Sequence, residues 1–389
     1  MTESLRSRGV RITAVLQLRS VAGDRSILRA TVPGTMTATS TSLSDLLTTL
    51  VNMPSETGDE AASAEFVTTR LRAAGSGEIL RAANNVEWRG PQRGRPLVVL
   101  AGHLDTVPAQ GNAVARVDSG KLFGVGTSDM KSGDAVILAL VETLDPAALR
   151  FDLAVVFYEA EEGPAENNGL RRVLDEMPWL REAALAVLLE PTDLKVELGC
   201  NGVMNAEVRV AGKSAHSARP WSGINAVERA ASWLVEVTKV PVVPKQLFGV
   251  EYKETLQVTT LRAGRTRNVV PDELVANLNY RFTPDMTIAD AERSLRARVP
   301  AEFEFRVVDA APSGKVSLDA PVVQEFVSRS GATLAGKQGW TDVARFTAAG
   351  IPASNFGPGL PELCHQAGEY CPIANLEPAY RTLAEFLSS

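Results

Sequence analysis

The sequence is poor in several things, and each scarcity excludes something. Its 389 residues include three cysteines, Cys200, Cys364 and Cys371. An odd number cannot close an even disulfide framework and fits a reducing, cytoplasmic compartment. There is no run of about 18 apolar residues, so no segment reads as a membrane-spanning helix. An excess of positive charge is missing too. The 40 Lys+Arg against 46 Asp+Glu give a net charge of −6, which argues against nucleic acid or an anionic membrane as partner. Histidine is as scarce as cysteine, with only His103, His216 and His365. What remains is 45% hydrophobic and 22% charged, the makeup of a folded protein rather than a disordered chain. At roughly 100–200 residues per domain, the length suggests two domains.

Residues 1–35 stand apart. They carry six arginines and two acids, a local charge of +4, which leaves −6 − 4 = −10 for the rest. The apolar stretch 12–18 is short and contains Gln17, a poor signal-peptide core. The segment reads as a flexible extension, with the folded protein starting near Met36. Ser42 is then placed to cap a helix carrying Leu46, Leu47, Leu50 and Val51.

Periodicity predicts a helix over 60–73, a hairpin near 85–89 and a buried strand over 96–102. A helix over 132–144, a strand over 151–158, a helix over 170–176 and a strand over 184–189 follow. Strands alternating with helices predict an α/β layer with a largely parallel sheet. After Cys200 the order becomes β-α-β-β-α-β: strands near 203–210, 256–261, 273–282 and 303–308, helices over 225–239 and 288–297. That is a split βαβ sandwich long enough to be its own domain. Helices over 322–330 and 343–349 and a strand over 353–356 return to the first pattern. The simplest architecture is one α/β domain interrupted by an inserted α+β domain.

The predicted strand 96–102 runs into His103, with Asp105 two residues on. In an extended segment both side chains point the same way, and a carboxylate there can fix the second ring nitrogen of a metal-bound imidazole. Taken alone, such a pair reads as a surface loop. Other acids surround it in sequence. Asp129 ends a glycine-punctuated loop, Glu161 and Glu162 follow the next strand, and Glu190 follows the one after. Open α/β sheets build their sites at such strand ends. Taken alone, the 159–162 run reads as a solvated acidic turn. His365 lies far downstream in a Gly/Pro-rich loop. Carboxylates and two histidines without paired cysteines suit zinc or cobalt rather than a structural thiolate site. Two ions need a bridging ligand, which a carboxylate supplies with its two oxygens. Adjacent in an extended strand end, Glu161 and Glu162 are expected to point in opposite directions, one to ligate and one to act as general base. Cys364 beside His365 could be a thiolate ligand or nucleophile, but is read as packing, like Cys200 and Cys371.

Five ordered motifs, Gly-His-Leu-Asp-Thr-Val-Pro at 102–108, Asp129-Met-Lys, Glu161-Glu162, Glu190-Pro and His365, resemble the M20 metallopeptidase family. The resemblance covers about residues 43–389. Segments starting at His216, Asn268, Gly339 and Ile351 are similar to its actinobacterial desuccinylases. The resemblance implies a zinc-peptidase-like α/β catalytic domain from residues 36–200 and 312–389, with 201–311 an inserted ferredoxin-like α+β dimerisation or lid domain. It implies two Zn2+ per subunit, replaceable by Co2+. Asp129 bridges them, His103 and Glu190 complete one, Glu162 and His365 the other. Glu161 is then the general base and Asp105 orients His103. His216 reaches in from the second subunit of a homodimer to hold the oxyanion. Asn268, Arg281 and Thr341 contact substrate carboxylates, Arg281 being suited to bidentate binding, while Arg345 pairs with Asp342. A cis peptide after Asp129 is implied as well. Ala160 departs from the Asp that many members carry, and Gly163 sets the register of the Glu pair. The implied reaction is hydrolysis of N-succinyl-LL-2,6-diaminopimelate, a small succinylated diamino acid, to succinate and LL-2,6-diaminopimelate for lysine biosynthesis. Two alternatives stay open: another amidohydrolase of the family acting on acetylornithine or dipeptides, and a non-catalytic binding protein of the same fold.

Overall fold

The apolar run after Pro96 forms the strand Leu97–His103, and every one of its residues is buried. Val98 and Leu100 enter one hydrophobic cluster while Val99 and Ala101 enter another, so the strand has packed layers on both faces. That is why it lacks the alternation of a half-exposed strand. A computed structural model describes residues 40–388, and the expected extension over residues 1–35 lies outside them.

Around this strand an eight-stranded sheet assembles. Asp152–Tyr158 and Ala183–Leu188 flank it in parallel, and Ala353–Asn355 joins parallel to the latter. The hairpin Glu78–Ala82 with Asn85–Arg89 closes one edge antiparallel. One face is covered by the helices Ser40–Val51, Ala61–Ala74, Ser132–Thr143, Pro321–Ser330 and Ile373–Ser388. The other is covered by Gly169–Glu176 and Val343–Ala348. A mixed α/β layer with a parallel centre is therefore present, as the alternation of apolar runs predicts.

Between these elements, residues 202–311 build a five-stranded antiparallel sheet in the order Val243–Leu247, Val250–Ala263, Glu273–Phe282, Gly202–Ala211, Glu304–Ala311. Helices Ala226–Thr238 and Ile288–Arg296 pack on one face through Ala230, Trp233, Ala291 and Leu295. In Glu273–Phe282 the even-numbered residues are buried there, and Asn277, Asn279 and Arg281 are left on the opposite face. That face looks toward the site described below.

Three local expectations need correction. The first helix starts at Ser40, so Ser42 falls inside it rather than at its cap. The inserted sheet has a fifth strand, Val243–Leu247, hidden in sequence by Pro244. Proline is tolerated there because the strand lies at the sheet edge and needs no second ladder. The helix Ile373–Ser388 also went unread, since Pro378 interrupts it. Its spacing of Leu376, Ala379, Tyr380, Leu383, Phe386 and Leu387 is nonetheless helical, and all six are buried.

Phe386 anchors that helix, with ring centroids 5.0 Å from both Phe151 and Phe326. Phe386→Ala is expected to cost about 3–5 kcal/mol, by lost burial and the cavity left behind. Urea unfolding measures this, and a loss below about 1 kcal/mol would mean the C-terminal helix is not part of the cooperative core.

Candidate metal centre and active site

Three strand ends and two loops deliver the candidate ligands. His103 closes the strand Leu97–His103 and is buried. Its Nδ1 lies 3.0 Å from the backbone oxygen of Asp105 and 3.5 Å from the Asp105 carboxylate. Its Nε2 lies 3.2 Å from Asp129 Oδ1. Asp105 therefore fixes the ring mainly through its carbonyl.

The Asp105 carboxylate has another task. Its Oδ1 accepts from the Glu161 amide at 2.9 Å, and its Oδ2 accepts from the Glu162 amide at 3.0 Å and from Thr57 Oγ1 at 2.8 Å. The strand Asp152–Tyr158 has already ended, and Ala160 sits at φ +56. The chain thus turns around Asp105 instead of running on extended. This overturns the expected opposite orientation of Glu161 and Glu162: oxygens of both lie within 4.8 Å of each other and of a His103 nitrogen.

Asp129 arrives on the loop before the helix Ser132–Thr143. Gly126 in that loop has φ +78, and a Cβ there would meet Thr106 Cγ2 at 2.6 Å, so glycine alone fits. The Asp129–Met130 peptide is cis. Glu190 follows the strand Ala183–Leu188 and is buried, with Oε1 lacking any hydrogen-bond partner among the described residues. His365, with φ +62, brings Nε2 to 2.9 Å from Glu162 Oε1 and 3.5 Å from Asp129 Oδ2.

Three ligand groups result among the described residues, His103–Asp129–Glu190, Asp129–Glu162–His365 and His103–Glu161–Glu162, and the first two share Asp129. The electrostatics is that of a site built for cations. Burial, with the nearby Asp129 charge, pushes Glu190 up to about 8 against the pull of His103 and Lys337. Loss of solvent raises Glu161 well above the usual carboxylate range; His103 opposes this, and Asp342, Glu190 and Glu162 add to it. Hydrogen bonds to Asp129 and Glu162 raise His365 to about 10. A divalent ion would satisfy the orphaned Glu190 oxygen and relieve the crowding of acids. The donor set of imidazole nitrogens and carboxylate oxygens suits zinc or cobalt.

The centre opens into a cavity of about 800 Å3, lined also by Asn205, Asn279, Arg281, Asp309, Trp340 and Arg345. Arg281 donates only to Asn279 Oδ1, at 3.2 Å, and no carboxylate among the described residues pairs with it. Arg345 instead pairs with Asp342 at 2.6 Å, as expected. The remaining candidates are not gathered here. Thr341 is buried with its hydroxyl donating to Asn355. His216 and Asn268 are exposed on the inserted unit, side by side through the Ser217 amide and Asn268 carbonyl. His216 Nδ1 accepts from the Ala218 amide at 3.0 Å, which places the ring proton on Nε2.

Sequence reasoning missed Glu369. It is buried, and its carboxylate binds the loop that carries Asp129. The only available signal was an acid four residues after His365, which looks like any surface glutamate.

Residues 99–389 match the family described as Peptidase family M20/M25/M40. The chain belongs to that family. Among M20 relatives, a Mycobacterium tuberculosis protein named "Putative succinyl-diaminopimelate desuccinylase DapE" is 39% identical over 345 residues, 88% of this chain and 97% of that protein. A Corynebacterium glutamicum succinyl-diaminopimelate desuccinylase is 36% identical over 347 residues, 87% of this chain and 94% of that one. The crystal structure of a Staphylococcus aureus tripeptidase superposes with a TM-score of 0.72 at 20% identity, covering 90% of this chain and 98% of that one, a likeness of fold.

Proposed function

We propose that this chain is a metal-dependent amidohydrolase that cleaves N-succinyl-LL-2,6-diaminopimelate to succinate and LL-2,6-diaminopimelate, in lysine biosynthesis. The observation that carries the reading is the pair of ligand groups sharing Asp129, beside Glu161 and facing an unpaired Arg281. The named relatives support the substrate.

Two zinc ions, replaceable by cobalt, would be held by Asp129 between them, with His103 and Glu190 on one and Glu162 and His365 on the other. Bound there, they would acidify water and polarise the amide carbonyl. Glu161 takes a proton from water as its oxygen adds to the carbonyl carbon. The same carboxyl then returns the proton to nitrogen as the C–N bond breaks, releasing the acid and the amine. Arg281 holds a carboxylate of the substrate as a bidentate partner. Asn268, exposed beside His216 and away from this cavity, would contact substrate across the dimer, and Thr341 would do so only after its buried hydroxyl leaves Asn355. Asp105 holds both the His103 ring and the Glu161–Glu162 backbone.

The enzyme acts as a cytoplasmic homodimer joined through residues 201–311. Three free cysteines support the compartment. Exposed Val227, Val235 and Leu261 on that unit support an apolar face for a second copy. The test is steady-state turnover of the zinc-loaded protein on the succinylated substrate and on N-acetylornithine. With Arg281 taking the carboxylate at the end of the succinyl group, which an acetyl group lacks, the former is expected to be favoured in kcat/KM by roughly 100-fold or more. Preference for the acetyl substrate would move the protein to the deacetylase reading.

A further inference from the structure

The two ligand groups that share Asp129 come from distant parts of the chain, and Asp129 and His365 must meet with little tolerance. Glu369 lies where the two segments join. Its Oε2 accepts from the Gly126 amide at 3.0 Å, and its Oε1 accepts from the Ser128 and Asp129 amides at 2.7 and 3.0 Å. Three amide donors of the Asp129 loop are thus gathered on one carboxylate that is 1% exposed. The same residue is tied to the His365 side, since its own amide donates to the Gln366 carbonyl at 3.0 Å. Its carbonyl accepts from the Gly124 amide and from Asn112 Nδ2. Ser128 Oγ adds a parallel strap, donating to the Tyr370 carbonyl and accepting from the Leu360 amide.

A carboxylate buried among backbone N–H groups is costly to leave unpaired, and each donor here would be equally costly without it. The arrangement is therefore stiff: moving Asp129 relative to the His365 loop breaks several hydrogen bonds together. We infer that Glu369 is a positioning residue that fixes Asp129 against His365 and so sets metal affinity at the shared centre. The inference rests on the metal-dependent reading above. It adds a residue that would touch neither ion nor substrate and acts through the backbone of a ligand.

The test is zinc affinity by competition with a chromophoric chelator, together with the absorption spectrum of the cobalt-loaded protein. Glu369→Gln keeps the shape but turns an amide toward backbone donors. It is expected to weaken zinc binding by about 10- to 100-fold and to shift the cobalt spectrum, as loss of ligand-orienting partners does. Ser128→Ala, which removes only the parallel strap, is expected to shift both in the same direction by less. Phe386→Ala serves as the control for destabilisation alone: its zinc affinity should match wild type. If Glu369→Gln does not fold, Ser128→Ala carries the test. Variants that lose melting temperature but bind zinc as wild type does would overturn the inference. Wild type that takes up no zinc would instead overturn the proposed function and this inference with it.

Discussion

Glu161→Gln is expected to lower kcat by roughly a thousandfold while leaving the bound metal nearly intact, because general acid–base transfer contributes about 10²–10⁴. Glutamine matches the side chain in size and keeps one acceptor oxygen, so packing and the Asp105 bond to its amide survive. What disappears is the basic oxygen that takes the proton and gives it back. Burial and neighbouring acids raise the Glu161 carboxyl well above its ordinary range, and cations bound beside it would draw it back down and leave an oxygen free to take the proton. Glu162→Gln should behave differently. Glu162 Oε1 lies 2.9 Å from His365 and belongs to a ligand group, so metal content should fall along with turnover. Because Glu161 also lies within ligand reach of His103 and Glu162, metal analysis is the deciding measurement. Comparable metal loss in both variants would mean that the two glutamates have been assigned the wrong way round.

Much of the catalytic layer was legible in sequence because it obeys local rules. The strand Leu97–His103 is a bounded apolar run that delivers His103 at its end, and the acids at later strand ends, rather than the His103–Asp105 pair alone, mark the site. Glu190 is one of these acids. What escaped was set by contacts over long separations. The turn that swings Glu161 and Glu162 onto one side depends on Asp105, 56 and 57 residues earlier. Period-two alternation predicts opposite faces, and only the carboxylate accepting both amides overrides it. Glu369 is a stronger case: its partners lie about 240 residues upstream, 240 for Asp129 and 243 for Gly126. The edge strand Val243–Leu247 and the helix Ile373–Ser388 were hidden for a different reason. Each contains a proline that local propensity penalises but tertiary packing tolerates.

His216→Ala is expected to reduce kcat by about 100- to 1000-fold with KM little changed, the loss typical of removing one donor to a developing oxyanion. Nε2 is left to act as the donor, since Nδ1 accepts from the Ala218 amide. Yet His216 is exposed and does not line the cavity around the metal centre of its own chain. In the proposed homodimer the donor comes from the other subunit, and this makes a prediction that an ordinary loss of function does not. In a dimer of one Glu161→Gln protomer and one His216→Ala protomer, the site with an intact Glu161 receives an intact histidine from its neighbour. Random reassociation makes half of the dimers mixed, each with one complete site of two, so about a quarter of wild-type activity should return when the two inactive variants are mixed. If His216 served its own chain, each site in the mixed dimer would lack one group and mixing would restore nothing. Absence of rescue, with subunit exchange verified, would remove the shared site. An unchanged kcat in His216→Ala alone would remove the oxyanion role altogether.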